Sequence, residues 1–358
     1  MKTQITILAS LALACYSLTA TETVVLFDTH PIADRATTKT DRTPSSMLRT
    51  ATARLRAPAQ ALDSHFAPSK LGAYGQTIQL DLFADRSHRV RVQSAITTKQ
   101  NARVILGTID TEPNSSVIIT EQEGLINATI HTPHAPVCRI RGQPDGTCMV
   151  EELAPQTHLC KAVEPGALVK KKSVASPNPR KLTAKTDTGG QIQIDVLVVY
   201  TTNAMSGLGG PAATRSQISL AIAEANLVMA NSQLDVHYNL VGTQPINYQE
   251  TGISATDLRH LANTNDGFLD EVHPLRAQYK ADLVSLVIER MTDAGGIAYV
   301  MTTVGPEFGA AAFSVIDRHY LTGYYVGANQ NPATGAQKNP ATWKESFSSF
   351  QGVVLWPG

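Results

Sequence analysis

The side chains of this chain that could do chemistry are few and scattered, and their spacing argues against most reaction centres. Asp270 and Glu271 are adjacent carboxylates, but neighbours on a helix diverge and rarely act on one substrate atom, so a solvated helix face is expected. His273 lies two residues on, and His237 and His260 stand alone in strand-like and helix-like stretches. None of the three has a second His four residues away, the spacing that puts two imidazoles on one helical face for a metal. The glycines of Gly207–Ala212, GLGGPA, could let a phosphate approach a helix N-terminus. The six residues TTNAMS separate them from Tyr200, whereas a dinucleotide loop starts almost directly after its strand, so a flexible loop is expected. No GxSxG occurs, which weakens a serine-nucleophile reading.

Composition narrows the classes further. With 358 residues, 42% apolar and 17% charged, the chain can bury substantial cores and is expected to form two compact units. Thirty Lys plus Arg balance thirty Asp plus Glu, leaving no net field to draw nucleic acid or anionic lipid. Residues 1–20 join one Lys to an apolar run ending in small residues, the build of a signal peptide, so a secreted or periplasmic location is expected and no later stretch is long enough to span a membrane. Cys15 suggests a lipoprotein signal only faintly, because Ala12 stands where a larger aliphatic residue is usual. Export permits disulfides. Cys138 and Cys148 flank RIRGQPDGT, whose Pro144, Asp145 and Gly146 supply a turn, so a disulfide across that hairpin is expected, leaving Cys160 over.

The elements that must carry these residues change character along the chain. Residues 21–76, rich in Thr, Ala, Arg and Pro up to about Ala67, lack sustained periodicity and read as a poorly ordered lead-in. From 77 to 160, short alternating runs separated by turn residues (TIQLDLF, HRVRVQSAI, ARVILGTI, SSVIITEQ, GLINATIH, VCRIRG, CMVEEL) predict an antiparallel β domain. Residues 161–190 are basic and poor in apolar side chains, with Lys170, Lys171, Lys172, Arg180 and Lys181 among Pro, Gly and Ser, and read as a linker open to processing. Beyond it, a buried-type strand at Ile192–Tyr200, a long helix at Pro211–Asn231 and a second strand LDVHYNLVG lead to a helical stretch from Thr256 that continues past Pro274. ADLVSLVIE, GIAYVM and AAFSVID then give three further extended segments. The fold class expected is an α+β/α/β two-domain precursor: an antiparallel β domain, then an α/β domain with a mixed twisted sheet and long helices.

The segments IDVLVVYTTNA, AIAEANLVMANSQLDVHYNLVG, TDLRHLANTNDGFLDEVHPLRAQYKADLVSLVIE, GIAYVM, AFSVI and TGYY, in this order, resemble the catalytic domain of secreted bacterial metzincin-type zinc metalloendopeptidases, close to the peptidyl-Asp metalloendopeptidase group. Upstream, VILGTIDTEPNSSVIITEQEGLINATIHTP and CRIRGQPDGTCMVEEL resemble the β propeptide of such precursors. The resemblance covers most of the chain from Thr77 to Tyr325. It implies a propeptide at 77–160, a catalytic domain at 191–358, a zinc cofactor, peptide or protein substrates, and binding of the domain to its own propeptide.

That family's catalysis needs HExxHxxGxxH, in which two His one helical turn apart bind zinc, the Glu activates the zinc-bound water and a third His closes the site. Here Gly323, Tyr324 and Tyr325 run into VGANQNPATGAQKNPATWKE, and the one His from Asp317 onward is His319. Two alignments of the break stand open. With no residues lost, Asn329, Gln330 and Ala333 replace the first His, the Glu and the second His. With about ten residues lost, roughly three turns of helix, Gly327 is the helix-breaking Gly and Gln330 replaces the third His. No Met follows Met301, so the Met-containing turn of the family is absent, and Gly295 and Tyr320 stand near positions where it tends to place cysteines. The expectations are therefore a domain truncated or eroded after 325, a metalloendopeptidase family member inactive in this form, and, as the alternative, a pseudoprotease that binds peptides or a protease.

Overall fold

The computed structural model describes residues 23–28, 35–36, 47–56, 76–154, 160–166, 191–301 and 306–323. Among them the protein is mostly β with few helices. Alternating apolar and polar runs make the first sheet. Its strands are β1 (Thr23–Val25), β2 (Arg35–Ala36), β3 (Met47–Arg54), β4 (Thr77–Phe83), β5 (Arg86–Thr97), β6 (Arg103–Ile109), β7 (Glu112–Gln122), β8 (Leu125–Thr132), β9 (Ala135–Gly142) and β10 (Thr147–Leu153). Strands β4 to β10 form an antiparallel meander, each paired with the next, as the spacing of turn residues predicts. The order β1-β4-β5-β6-β7-β8-β9-β10-β3-β2 curls on itself, and Phe27 after β1 bridges Leu55 after β3. Curling hides much of the edge that a flat sheet would expose.

Within the stretch read as a poorly ordered lead-in, β3 pairs along its length with β10. Its inward residues are Ala51 and Ala53, too small to register as apolar periodicity, although they fill the space beneath a curled sheet. The hairpin disulfide expectation is also corrected. Cys138 and Cys148 are buried free thiols. The register sets Cys148 opposite Gly142 and Cys138 opposite Glu152, an offset of four residues and about 13 Å along the strand, beyond disulfide reach. Burial pushes both thiols up to about 12.

The second sheet is mixed, in the order β11-β15-β16-β14-β12-β13. Its strands are β11 (Cys160–Val163), β12 (Ile192–Thr201), β13 (Val236–Ile246), β14 (Leu283–Ile288), β15 (Gly296–Tyr299) and β16 (Phe313–Asp317). β13, β12, β14 and β16 run parallel, β15 turns antiparallel to β16, and β11 lies parallel to β15. Val196–Tyr200 of β12 and Val284–Ile288 of β14 are almost wholly buried, the near-continuous apolar runs of strands covered on both faces. β11 opens the stretch read as linker, so that stretch begins inside a sheet rather than in solvent.

Helix α1 (Thr202–Leu208) is capped by the Thr201 hydroxyl and ends at Gly209 with φ of 99°. Helix α2 (Pro211–Asn231) starts with Pro at its first position. Gly207–Ala212 is thus a helix end and a tight turn into the next helix, rather than a flexible loop. Helices α3 (Ser254–Ala262) and α4 (Val272–Tyr279) are separate, correcting the expectation of one stretch continuing from Thr256. Pro274 sits in the first turn of α4, where its missing N–H costs nothing. Among the described residues only α2 exceeds nine residues, so the expected long helices reduce to one.

Helix α2 is buried on both faces. Ile218, Ala221, Ile222, Ala225 and Met229 join the core of the second sheet, while Leu220 and Ala223 pack with Val104 and Ile118 of the first. Between those apolar contacts run hydrogen bonds from α2 to the first sheet: Asn127 Nδ2 to Ser216 Oγ at 2.6 Å, Ser219 Oγ to Gln122 Oε1 at 2.7 Å, and the Thr129 hydroxyl to Glu224. Burying a polar group unpaired costs about 1–3 kcal/mol, so these bonds are what permits polar residues here.

Candidate functional site

In a parallel sheet the carboxyl ends of the strands collect side chains, because each strand stops there and its loop turns away. The second sheet follows this rule. Thr201 ends β12, and its hydroxyl donates to Glu250, a few residues beyond β13. Both oxygens of Glu250 accept the Glu289 N–H at 3.0 Å, just past β14, and burial raises the Glu250 carboxyl above its usual range. Glu289 meets Arg318, just past β16, through a two-point pair with Nη2 to Oε1 at 2.7 Å and Nε to Oε2 at 2.5 Å. Asp317, at the end of β16, accepts the Met291 N–H at 2.8 Å, the His319 N–H at 2.8 Å and a bond from His319 Nδ1 at 2.7 Å.

Beside this frame lies the edge of the sheet. β15 has β16 on one side, and its other side is taken by β11, in register from Cys160 opposite Gly296 to Val163 opposite Tyr299. The Val300 N–H continues the ladder to the Val163 carbonyl at 2.9 Å. Lys161 of β11 pairs with Asp293 at 2.6 Å, and Asp293 also accepts the N–H of Ser254 at 3.0 Å and its hydroxyl at 2.9 Å. Burial alone would raise the Asp293 carboxyl, but Lys161 and Ser254 together hold it at about 2. A short extended segment is therefore held on this edge by a backbone ladder and one ion pair.

The carboxylates at the strand ends are already spent as acceptors for backbone N–H groups, a hydroxyl and a guanidinium. Among the described residues no three His, Cys, Asp or Glu side chains form a group that could hold a metal ion. No HExxH occurs anywhere in the 358 residues. Among the described residues the side chains thus make no zinc site of the metzincin kind, and the cluster works as a rigid frame.

The residues singled out in sequence are dispersed. Asp270 accepts the N–H groups of Asn265 at 2.8 Å and Gly267 at 3.2 Å, which organises the loop before α4, and Glu271 is exposed. His273 Nε2 bonds the Asn263 carbonyl at 2.8 Å and its ring meets Phe313 edge-on. His260 bonds the Tyr248 hydroxyl at 2.8 Å and stacks on Phe268 at 4.0 Å. His237 sits on β13 with its imidazole lowered by burial and then by Lys99. Each of the three His thus has a structural neighbour, and they do not converge. Gly327, Asn329, Gln330 and Ala333, and the linker residues Lys170, Lys171, Lys172, Arg180 and Lys181, lie outside the described residues. Sequence reasoning missed Glu250, Glu289 and Asp317; the signal available was a carboxylate at or beyond the end of each of three expected strands. No described helix is long and apolar enough to cross a membrane.

No family model matches the chain. In sequence it is 28% identical over 236 residues to a peptidyl-Asp metalloendopeptidase of Xanthomonas campestris pv. campestris, covering 64% of this chain and 54% of that protein. It is 30% identical over 165 residues to the protein of the same name from Stenotrophomonas maltophilia strain R551-3, covering 46% of this chain and 39% of the relative. The strain K279a protein gives 29% over 168 residues, 46% of this chain and 40% of that one. Metalloproteinase-II from Bacteroides fragilis superposes over 80% of this chain and 91% of its own at 8% identity, with a TM-score of 0.42, too low to carry an argument. The chain spans about half or less of the length of the curated relatives it matches, and over that span its sequence supports relationship to a metallopeptidase family.

Proposed function

We propose that the chain is the precursor of a secreted zinc-metalloendopeptidase family member that does not hydrolyse peptide bonds in this form. The observation that carries the reading is the sequence relationship to metalloendopeptidases in a chain where no HExxH occurs. In this reading residues 1–20 are a signal peptide, the first sheet belongs to the propeptide, 161–190 hold the processing bond, and 191–358 form a metzincin-like domain truncated or eroded after 325. Zinc is the cofactor the relationship implies, with Gly327, Asn329, Gln330 and Ala333 marking where its ligands are wanting. Intact-mass analysis of the culture medium of expressing cells tests the layout. A secreted form whose N-terminus falls within 161–190 is expected; recovery of the uncut chain inside the cells alone overturns it.

The second reading, a pseudoprotease that grips peptides, is favoured by one observation: an extended segment, β11, already lies on the β15 edge. Strand addition draws its affinity from main-chain hydrogen bonds, which β15 makes here to β11. If β11 is the resident occupant, weakening it frees the edge for another. The Val163 carbonyl faces β15, so the Val163 N–H faces it too, and Val163→Pro removes that donor and fixes its φ. The variant is expected to bind a fluorescein-labelled peptide of residues 157–166 at least about tenfold more tightly than wild type, in which few molecules have a free edge. Equal binding by fluorescence anisotropy counts against this reading.

A further inference from the structure

We propose that Glu224, Thr129, Arg139 and the Thr322–Gly323 turn form a proton-gated latch between the two sheets, closed in acid and loosened as the pH rises through neutrality. Glu224 of α2 is only 3% exposed. It accepts the hydroxyl of Thr129 from β8, and its two oxygens accept the Gly323 N–H at 3.0 and 3.1 Å. From the other side Arg139 of β9 donates Nη1 to the Thr322 carbonyl at 3.2 Å while its Nε is bound to Glu151 of β10 at 2.7 Å. Gly323 has φ of 92°, and a Cβ there would come within 3.0 Å of Leu153. The turn that leads into residues 324 onward is therefore gripped by α2 of one sheet and by β9 and β10 of the other.

Proton dependence follows from which charges face the carboxyl. β8 brings Thr129 and, two residues on, His131, whose imidazole burial lowers. β9 and β10 bring Arg139, Arg141 and Glu151, with Glu151 bonded to both arginines. β7 brings Glu121 and Glu123, the latter paired with Arg215. β13 brings His237 and Tyr238, and α1 brings no titratable side chain. The attraction of Arg139 is already shared with Glu151, so burial dominates and pushes Glu224 up to about 7, against the bonds from Thr129 and Gly323. A carboxyl that binds its proton more tightly in the closed state favours closure at low pH; that preference is complete below the unfolded value and is lost as pH climbs through the folded one.

The test is amide hydrogen exchange on the full chain from pH 5.5 to 8.5, corrected for intrinsic exchange. Protection of residues 216–224 and 321–323 is expected to fall about tenfold or more across this range in wild type. Glu224→Gln, which keeps the shape and one oxygen to accept from Thr129 and Gly323 without the charge, is expected to stay protected throughout. A flat wild-type profile, or the same pH dependence in Glu224→Gln, overturns the proposal. Should that variant fail to fold, Thr129→Val removes a donor that favours the ionised carboxyl, so the midpoint must move to higher pH; an unmoved midpoint equally overturns it.

Discussion

Glu151→Ala is expected to destabilise the ten-stranded sheet by about 3–5 kcal/mol, the cost of leaving buried cations without their anion. Glu151 is fully buried and receives Arg139 Nε at 2.7 Å and the Arg141 guanidinium as well. Burial alone would push its carboxyl up, but the two guanidiniums hold it below the usual carboxylate range. Its contribution to stability is therefore present above the unfolded value and is lost as pH falls through the folded one. In the variant Arg139, 7% exposed, loses the carboxylate that its Nε meets. Urea unfolding at pH 7 measures the loss, and Glu123→Ala is the control. Glu123 pairs with Arg215 at the surface, a class of bridge worth about 0–1 kcal/mol. A cost for Glu151→Ala no larger than the control's would contradict the account. Because Arg139 also holds the Thr322 carbonyl, the same variant is expected to loosen the turn between the sheets.

Much of this architecture was legible in the sequence where period and burial agree. β4 lies on TIQLDLF, and α2 runs over Pro211–Asn231, because alternation marks a half-buried strand and a leading Pro marks a helix start. The reading failed where the deciding contact is distant in sequence. β3 depends on β10, about a hundred residues away, and its core residues are alanines. β11 depends on β15, and its four residues carry no pattern of their own. The two cysteines look ready to pair until strand register separates them. α2 reads as amphipathic, yet its polar residues Ser216, Ser219 and Glu224 are buried because a second sheet supplies Asn127, Gln122 and Thr129. Of the candidate site, the absence of HExxH from these 358 residues could be read directly, since a motif either stands in the sequence or does not. The frame of Glu250, Glu289, Asp317 and Arg318 could not, because those residues meet only once four strands lie parallel.

That absence sets the second large effect expected. A tetrahedral zinc site draws its affinity from deprotonated or neutral ligands held together, of order 10 kcal/mol or more where three or four converge. Hydrolysis by such an enzyme draws on the bound ion both to polarise the carbonyl and to lower the pKa of its water. In this chain His260, His273 and His319 are engaged separately with Tyr248, Asn263 and Asp317, and His237 stands apart on β13. Intact frames such as the Glu289–Arg318 pair can keep the sheet ends in place without supplying a metal-bound nucleophile. The most direct measurement is metal content by plasma mass spectrometry on the purified full chain, dialysed against micromolar zinc, with casein cleavage followed with and without chelator. The account predicts well under one zinc per chain and no chelator-sensitive cleavage; one tightly held zinc per chain together with cleavage abolished by chelator would contradict it.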